Sequence, residues 1–231
     1  MSETVFRSKT FPLDPASAVI FFVCAYGTTI TQLGWAIKRL QKDGFTVVAY
    51  DVPNRVIEGG DPALLGVSVD AVTADIKRRI DEFKRGGVTN LGFFGSSLGA
   101  FILYNAVAVV PELKWGVFNT SGDMAVGVWK LKKPRQRFQA AGIDLEQLKR
   151  AWYKLQYPKF KKRVGCHYLF FSSYQDRLAP LREIDQFLEP LRRAGAQVDL
   201  LSATAIGHVS TVTRGLVKCR QLVDLVWADQ D

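Results

Sequence analysis

One serine in this chain stands where a hydroxyl can be made into a nucleophile. The stretch Phe93-Phe94-Gly95-Ser96-Ser97-Leu98-Gly99-Ala100 contains Gly-x-Ser-x-Gly, preceded by an apolar run that reads as a strand and followed by one that reads as a helix. A serine in a sharp strand-to-helix turn needs strained backbone angles. The residues two before and two after it must be tiny so that the flanking chain can approach, and Gly95 and Gly99 meet that need. Such a turn projects Ser97 Oγ above the sheet edge, at a helix N-terminus whose dipole and free N–H groups favour an oxyanion. A Gly/Ser-rich turn that merely links strand and helix would show the same five letters, so the context of strand, turn and helix carries the reading. A serine nucleophile needs a base, and the chain has only two histidines, His167 and His208. His167 opens an apolar strand and reads as a structural residue. No Gly-x-Gly-x-x-Gly, Walker loop, His-Glu-x-x-His or Cys-x-x-Cys occurs, so neither a nucleotide nor a metal is expected, and no cofactor.

With these residues in place the sequence resembles the α/β-hydrolase superfamily of serine hydrolases, over nearly its whole length. Members keep the chain order nucleophile, acid, histidine. Here Ser173-Tyr174-Gln175-Asp176-Arg177-Leu178-Ala179-Pro180 looks like the family's acid loop, and Ala205-Ile206-Gly207-His208 looks like its Gly-His loop. The resemblance therefore implies a triad of Ser97, Asp176 and His208, each just after the C-terminal end of a parallel strand, where open α/β sheets place their sites. Asp123, in Ser121-Gly122-Asp123, occupies a place some members use for the acid and stays as the alternative. The family's oxyanion hole implies two backbone donors, the N–H of Leu98 and, from Ala25-Tyr26-Gly27-Thr28, the N–H of Tyr26. Many members have His-Gly where this chain has Cys24-Ala25, a departure at that loop. The activity implied is cleavage of a carboxylic ester through an acyl-enzyme. Thioester cleavage and acyl transfer use the same machinery, and a catalytically silent ligand-binding protein of this fold is the alternative from another class.

The elements that must position these residues follow from hydrophobic spacing. Val19–Cys24, Phe45–Tyr50, Leu91–Phe94, Trp115–Asn119, Tyr168–Ser172 and Val198–Leu201 read as six strands, with Val5–Phe11 a candidate seventh at an edge. Between them, apolar residues at helical spacing (Ile30 to Leu40, Val69 to Phe83, Leu98 to Val110, Leu181 to Leu191, Val212 to Val226) predict amphipathic helices. Short apolar strands alternating with helices mean a mostly parallel sheet with helices on both faces, the α/β class. The alternation breaks once, over residues 121–165, a cap-like insertion. It holds a predicted helix from about Asp144 to Gln156, opened by an Asp144/Gln147 capping box and ended before Pro158.

The chain has 231 residues, 48% of them hydrophobic and 23% charged, ordinary globular composition that argues against a disordered or fibrous protein. One domain, residues 1–231 with the cap-like insertion, is expected. The net charge of +9 is concentrated: Trp129–Arg163 holds twelve basic and two acidic residues, leaving the rest of the chain at −1. Interleaved with six aromatics, that segment reads either as a solvated face or as a cap meeting an anionic or lipid-like ester, or a membrane surface as a peripheral contact. Nucleic acid is not an expected partner, because no nucleic-acid fold accompanies the charge. No apolar run reaches the ~18 residues of a membrane span, and Ala16–Tyr26 reads as a core strand, not a signal peptide. Three widely spaced cysteines (Cys24, Cys166, Cys219) read as reduced core residues of a cytoplasmic protein.

Overall fold

Strand β2 (Val19–Val23) is apolar at every position and buried at every position, as a strand covered on both faces should be. Burial is likewise complete along β3 (Thr46–Asp51), β4 (Leu91–Ser96), β5 (Trp115–Asn119) and β6 (His167–Ser172), whose few polar residues stand at strand ends. The computed structural model describes residues 6–12, 18–204 and 207–227. Among these, β1 (Arg7–Phe11) and β7 (Gln197–Ser202) complete a seven-stranded sheet in the order β1-β3-β2-β4-β5-β6-β7. Every neighbouring pair is parallel except β1 with β3. The sheet is thus the six- or seven-stranded, mostly parallel one expected. The predicted edge strand starts at Arg7, and Val5 lies outside the described residues, as do Ala16 and Ser17 of the first apolar run.

Helices cover both faces. On one, α1 (Gly34–Lys42), α9 (His208–Val217) and α10 (Cys219–Trp227) bury Ile37, Leu40, Leu216 and Val223 against Ile20, Phe22 and Val47. On the other, α3 (Ala63–Arg85), α4 (Leu98–Val109) and α8 (Asp185–Arg193) bury Val72, Ile76, Phe101 and Leu188 against Val19, Phe21 and Phe93. Three helices depart from their spacing. α1 begins at Gly34, four residues later than Ile30, whose N–H donates to the Asp51 carboxylate (3.0 Å). The helix from Leu181 opens as one 3₁₀ turn, Leu181–Glu183. The last predicted helix is broken at Lys218, and the Arg39 guanidinium donates to the neighbouring Val217 carbonyl (2.8 Å). All three cysteines are free and buried.

Three helices fill the insertion between β5 and β6. These are α5 (Met124–Lys130), α6 (Lys132–Ala140) and α7 (Leu145–Gln156). The Asp144/Gln147 capping box forms as the sequence predicts, with the Gln147 N–H donating to Asp144 (2.7 Å) and the Asp144 N–H to Gln147 (2.8 Å). Buried Trp152 and Phe138 pack edge to face, and Trp152 Nε1 donates to the Pro62 carbonyl (2.8 Å), seating the insertion on the N-terminus of α3. The basic segment is not one surface. Lys130 and Lys133 lie on the helices nearest the C-terminal ends of the strands, whereas Lys159, Lys161 and Lys162 are exposed on the chain that runs from there toward the start of β6 at the opposite end. Arg163 is buried, and its guanidinium donates to the Val110 carbonyl (2.9 Å). It is a structural cation, not part of a solvated or ligand-facing charge patch.

Candidate active site

The turn between β4 and α4 holds Ser97 at φ 51°, ψ −114°, in the left-handed region that non-glycine residues rarely occupy. The flanking glycines explain how. A Cβ on Gly99 would sit 2.1 Å from the Val23 carbonyl oxygen, and one on Gly95 would sit 2.7 Å from the Gly99 oxygen and 2.8 Å from Ala100 Cα. The turn exists only because these two side chains do not. The Ser97 N–H is held by the Asn119 carbonyl of the neighbouring strand (2.9 Å), and the Ser97 carbonyl accepts from Phe101 as α4 begins (3.1 Å).

His208 is the first residue of α9, entered through Gly207 at φ 78°. Ala205 and Ile206, the start of the predicted Gly-His loop, lie outside the described residues. His208 Nε2 is 2.9 Å from Ser97 Oγ, and its Nδ1 is 2.8 and 3.1 Å from the two oxygens of Asp176. A carboxylate can only accept, so Asp176 selects the tautomer with hydrogen on Nδ1 and leaves Nε2 free to accept from the serine hydroxyl. Asp176, 1% exposed, is itself fixed by the N–H groups of Leu178 (2.9 Å) and Ala179 (3.0 Å) donating to Oδ1. The alternative acid does something else: Asp123 caps α5, accepting from the Val126 N–H (2.9 Å). His167 lies at the start of β6, at the other end of the sheet, against Asp199 (2.6 Å).

Leu98 and Tyr26 both border the space in front of Ser97. Neither N–H donates to a backbone carbonyl among the described residues. Tyr26 stands in a tight turn in which Thr28 returns both its N–H (3.1 Å) and its hydroxyl (2.8 Å) to the Ala25 carbonyl, with Gly27 at φ 77°. Its phenol donates to Glu58, at the end of the short helix α2 (Arg55–Glu58), and Glu58 also pairs with Lys133 of α6. Burial pushes the Glu58 pKa up, but the hydrogen bonds from Lys133 and Tyr26 and the nearby Arg137 charge together outweigh it, so the carboxyl is held below its ordinary value. Burial first and then Glu58 push the Tyr26 phenol well above its ordinary value, so it stays a donor.

The space itself is a cavity of about 510 Å³, within the range of small-molecule sites. Its wall is mostly apolar, with Leu33, Trp35, Ile57, Met124, Val128 and Leu216 prominent, and it contains no lysine or arginine. A second, more open cavity, of about 730 Å³ and lined by Tyr174, Gln175 and Arg177, shares His208 and Leu178 with it. Among the described residues no cluster of three or more His, Cys, Asp or Glu side chains could hold a metal, and no helix is long and apolar enough to cross a membrane. Glu58, Lys133 and Asn119 were not legible as site residues, since none belongs to a motif and each acts through a contact distant in sequence.

No protein-family model and no curated protein matches this chain. Its fold does match solved structures. The Pyrococcus furiosus esterase Pf2001 is 17% identical, with a TM-score of 0.59 over 93% of this chain and 82% of that one. Est1E from Butyrivibrio proteoclasticus, solved with ferulic acid bound, is 12% identical, with a TM-score of 0.64 over 97% and 95%. A phospholipase/carboxylesterase from Dyadobacter fermentans is 12% identical, with a TM-score of 0.57 over 92% and 94%.

Proposed function

We propose, starting from the α/β-hydrolase fold that this chain has, that it is a serine hydrolase cleaving carboxylic esters through an acyl-enzyme. The observation that carries the reading is the unbroken chain of hydrogen bonds from Ser97 Oγ through His208 to buried Asp176, opening onto an apolar cavity. His208 Nε2 takes the hydroxyl proton as Ser97 Oγ attacks the ester carbonyl. Asp176 stabilises the imidazolium, and the N–H groups of Leu98 and Tyr26 hold the tetrahedral oxyanion. The imidazolium then gives its proton to the alcohol oxygen as the C–O bond breaks, and the alcohol leaves on the side of His208, toward the second cavity. Water, deprotonated by the same nitrogen, attacks the acyl-enzyme, and the imidazolium returns that proton to Ser97 Oγ as the C–Oγ bond breaks and the acid leaves.

The cavity wall favours one of the two substrate classes expected. With no cation lining it, and with Lys130 donating to the Arg177 carbonyl and Lys133 paired with Glu58, the acyl group that fits is neutral and apolar, not anionic. The insertion acts as a cap belonging to one domain with the sheet, since α5 lines the cavity and Trp152 roots the cap in the body. Three buried free thiols suit a cytoplasmic location. The test is covalent labelling by a fluorophosphonate. Wild type becomes labelled and hydrolyses 4-nitrophenyl esters, and Ser97→Ala does neither while keeping its circular dichroism. A wild-type protein that neither labels nor hydrolyses any ester or thioester of a graded chain-length panel is a ligand-binding protein instead.

A further inference from the structure

Three elements must be registered to within a fraction of an ångström for the proposed triad to work: β4, which ends at Ser97; β6, which leads to Asp176; and α9, which begins with His208. All three are tied to the same two residues at the C-terminal end of β5. The Asn119 carbonyl accepts from the Ser97 N–H (2.9 Å). The Asn119 side-chain Nδ2 donates to Ser96 Oγ (2.7 Å) and to the Val212 carbonyl (3.0 Å), one turn along α9 from His208. The Thr120 N–H donates to the Phe171 carbonyl of β6 (2.7 Å). A carbonyl cannot donate, so Val212 fixes which way the amide points.

Two further features show that the helix and the backbone are adapted to this contact. Gly215, on the face of α9 next to Val212, leaves room for the amide: a Cβ there would lie 2.1 Å from Asn119 Oδ1. Thr120 is held at φ 64°, an outlying conformation for a β-branched residue, which persists only where its surroundings over-determine it. Asn119 is fully buried and does not border the cavity, so it touches neither substrate nor reacting atoms.

We propose that Asn119 is a positioning residue of this site, whose amide sets the height of α9 on the sheet and thereby the alignment of His208 with Ser97. The inference rests on the serine-hydrolase reading. Asn119→Ala lowers kcat about 10- to 100-fold and leaves KM within about twofold, because a misplacement of about 1 Å costs that much in turnover. Val117→Ala, a core truncation two residues earlier on β5, lowers the melting temperature and leaves kcat unchanged. Gly215→Ala lowers kcat as Asn119→Ala does, and the double variant is no slower than Asn119→Ala alone, since both act through one contact. With only two histidines in the chain, the imidazole resonances report directly: Asn119→Ala moves those of His208 and not those of His167. Unchanged kcat and unchanged His208 resonances in a folded Asn119→Ala overturn the proposal, as do additive losses in the double variant. A wild-type protein without hydrolysis or labelling overturns the hydrolase reading alone, and the His208 resonances still decide the role of Asn119.

Discussion

Two aspartates border the same site and do different work, and substitution separates them. Asp176→Asn leaves the packing nearly intact but removes the charge that holds the Nδ1–H tautomer, so kcat falls by roughly 10³- to 10⁴-fold. Asp123→Asn keeps a competent helix cap and changes kcat little, with melting temperature and steady-state kinetics as the measurements. Glu58 yields a prediction in pH. Its folded pKa lies below the unfolded value, so its contribution to stability is present above the ordinary glutamate range and lost as pH falls through the lowered folded value. The difference in melting temperature between wild type and Glu58→Gln is therefore full at neutral pH and closes on acidification below that range. A difference independent of pH would mean that the Tyr26–Glu58–Lys133 contact contributes nothing through charge. At this scale, legibility followed motif. Ser97 has five diagnostic letters, and Asp176 and His208 stand in loops with a recognisable order. Asn119 and Glu58 are ordinary letters made important by partners at positions 212 and 26.

Among the elements, the strands and the Asp144 capping box could be read because their signals are local: unbroken apolar runs, and two side chains three residues apart. The helix breaks could not, since the groups that meet the backbone there, Asp51 and Arg39, come from elsewhere in the sequence. The same distinction governs the basic segment. Lys159, Lys161, Lys162 and Arg163 look alike as letters, yet the three lysines are exposed and Arg163 is buried against the Val110 carbonyl. Changing the three lysines together to glutamine shifts stability by no more than about 0.5 kcal/mol per site. Arg163→Gln alone costs about 1–3 kcal/mol, because it strands a buried acceptor. Urea denaturation of the two variants checks both.

The molecule as a whole carries +9, but the charge is distributed so that little of it faces the cavity. At physiological salt the field decays over about 8 Å, so lysines on the chain that runs toward the far end of the sheet do not steer a ligand to Ser97. Neutral medium-chain aryl esters are therefore turned over with a kcat/KM nearly independent of salt between 50 and 500 mM. Esters whose acyl chain ends in a carboxylate are turned over at least about tenfold less well, because the apolar wall leaves that charge unpaired. A preference for the anionic acyl group that disappears at high salt would restore the ligand-steering role of the basic segment.

The buried cysteines have a further consequence. Burial pushes the Cys24 thiol far up and Cys219 to about 11, so these two offer alkylating reagents almost no thiolate, and Cys166 is buried from them as well. Its turnover should be indifferent to iodoacetamide and to mild oxidants. A cysteine put in place of exposed Tyr153 on the cap would then be the one reactive thiol among the described residues, and a single dye attached there would report movement of the cap against a silent background.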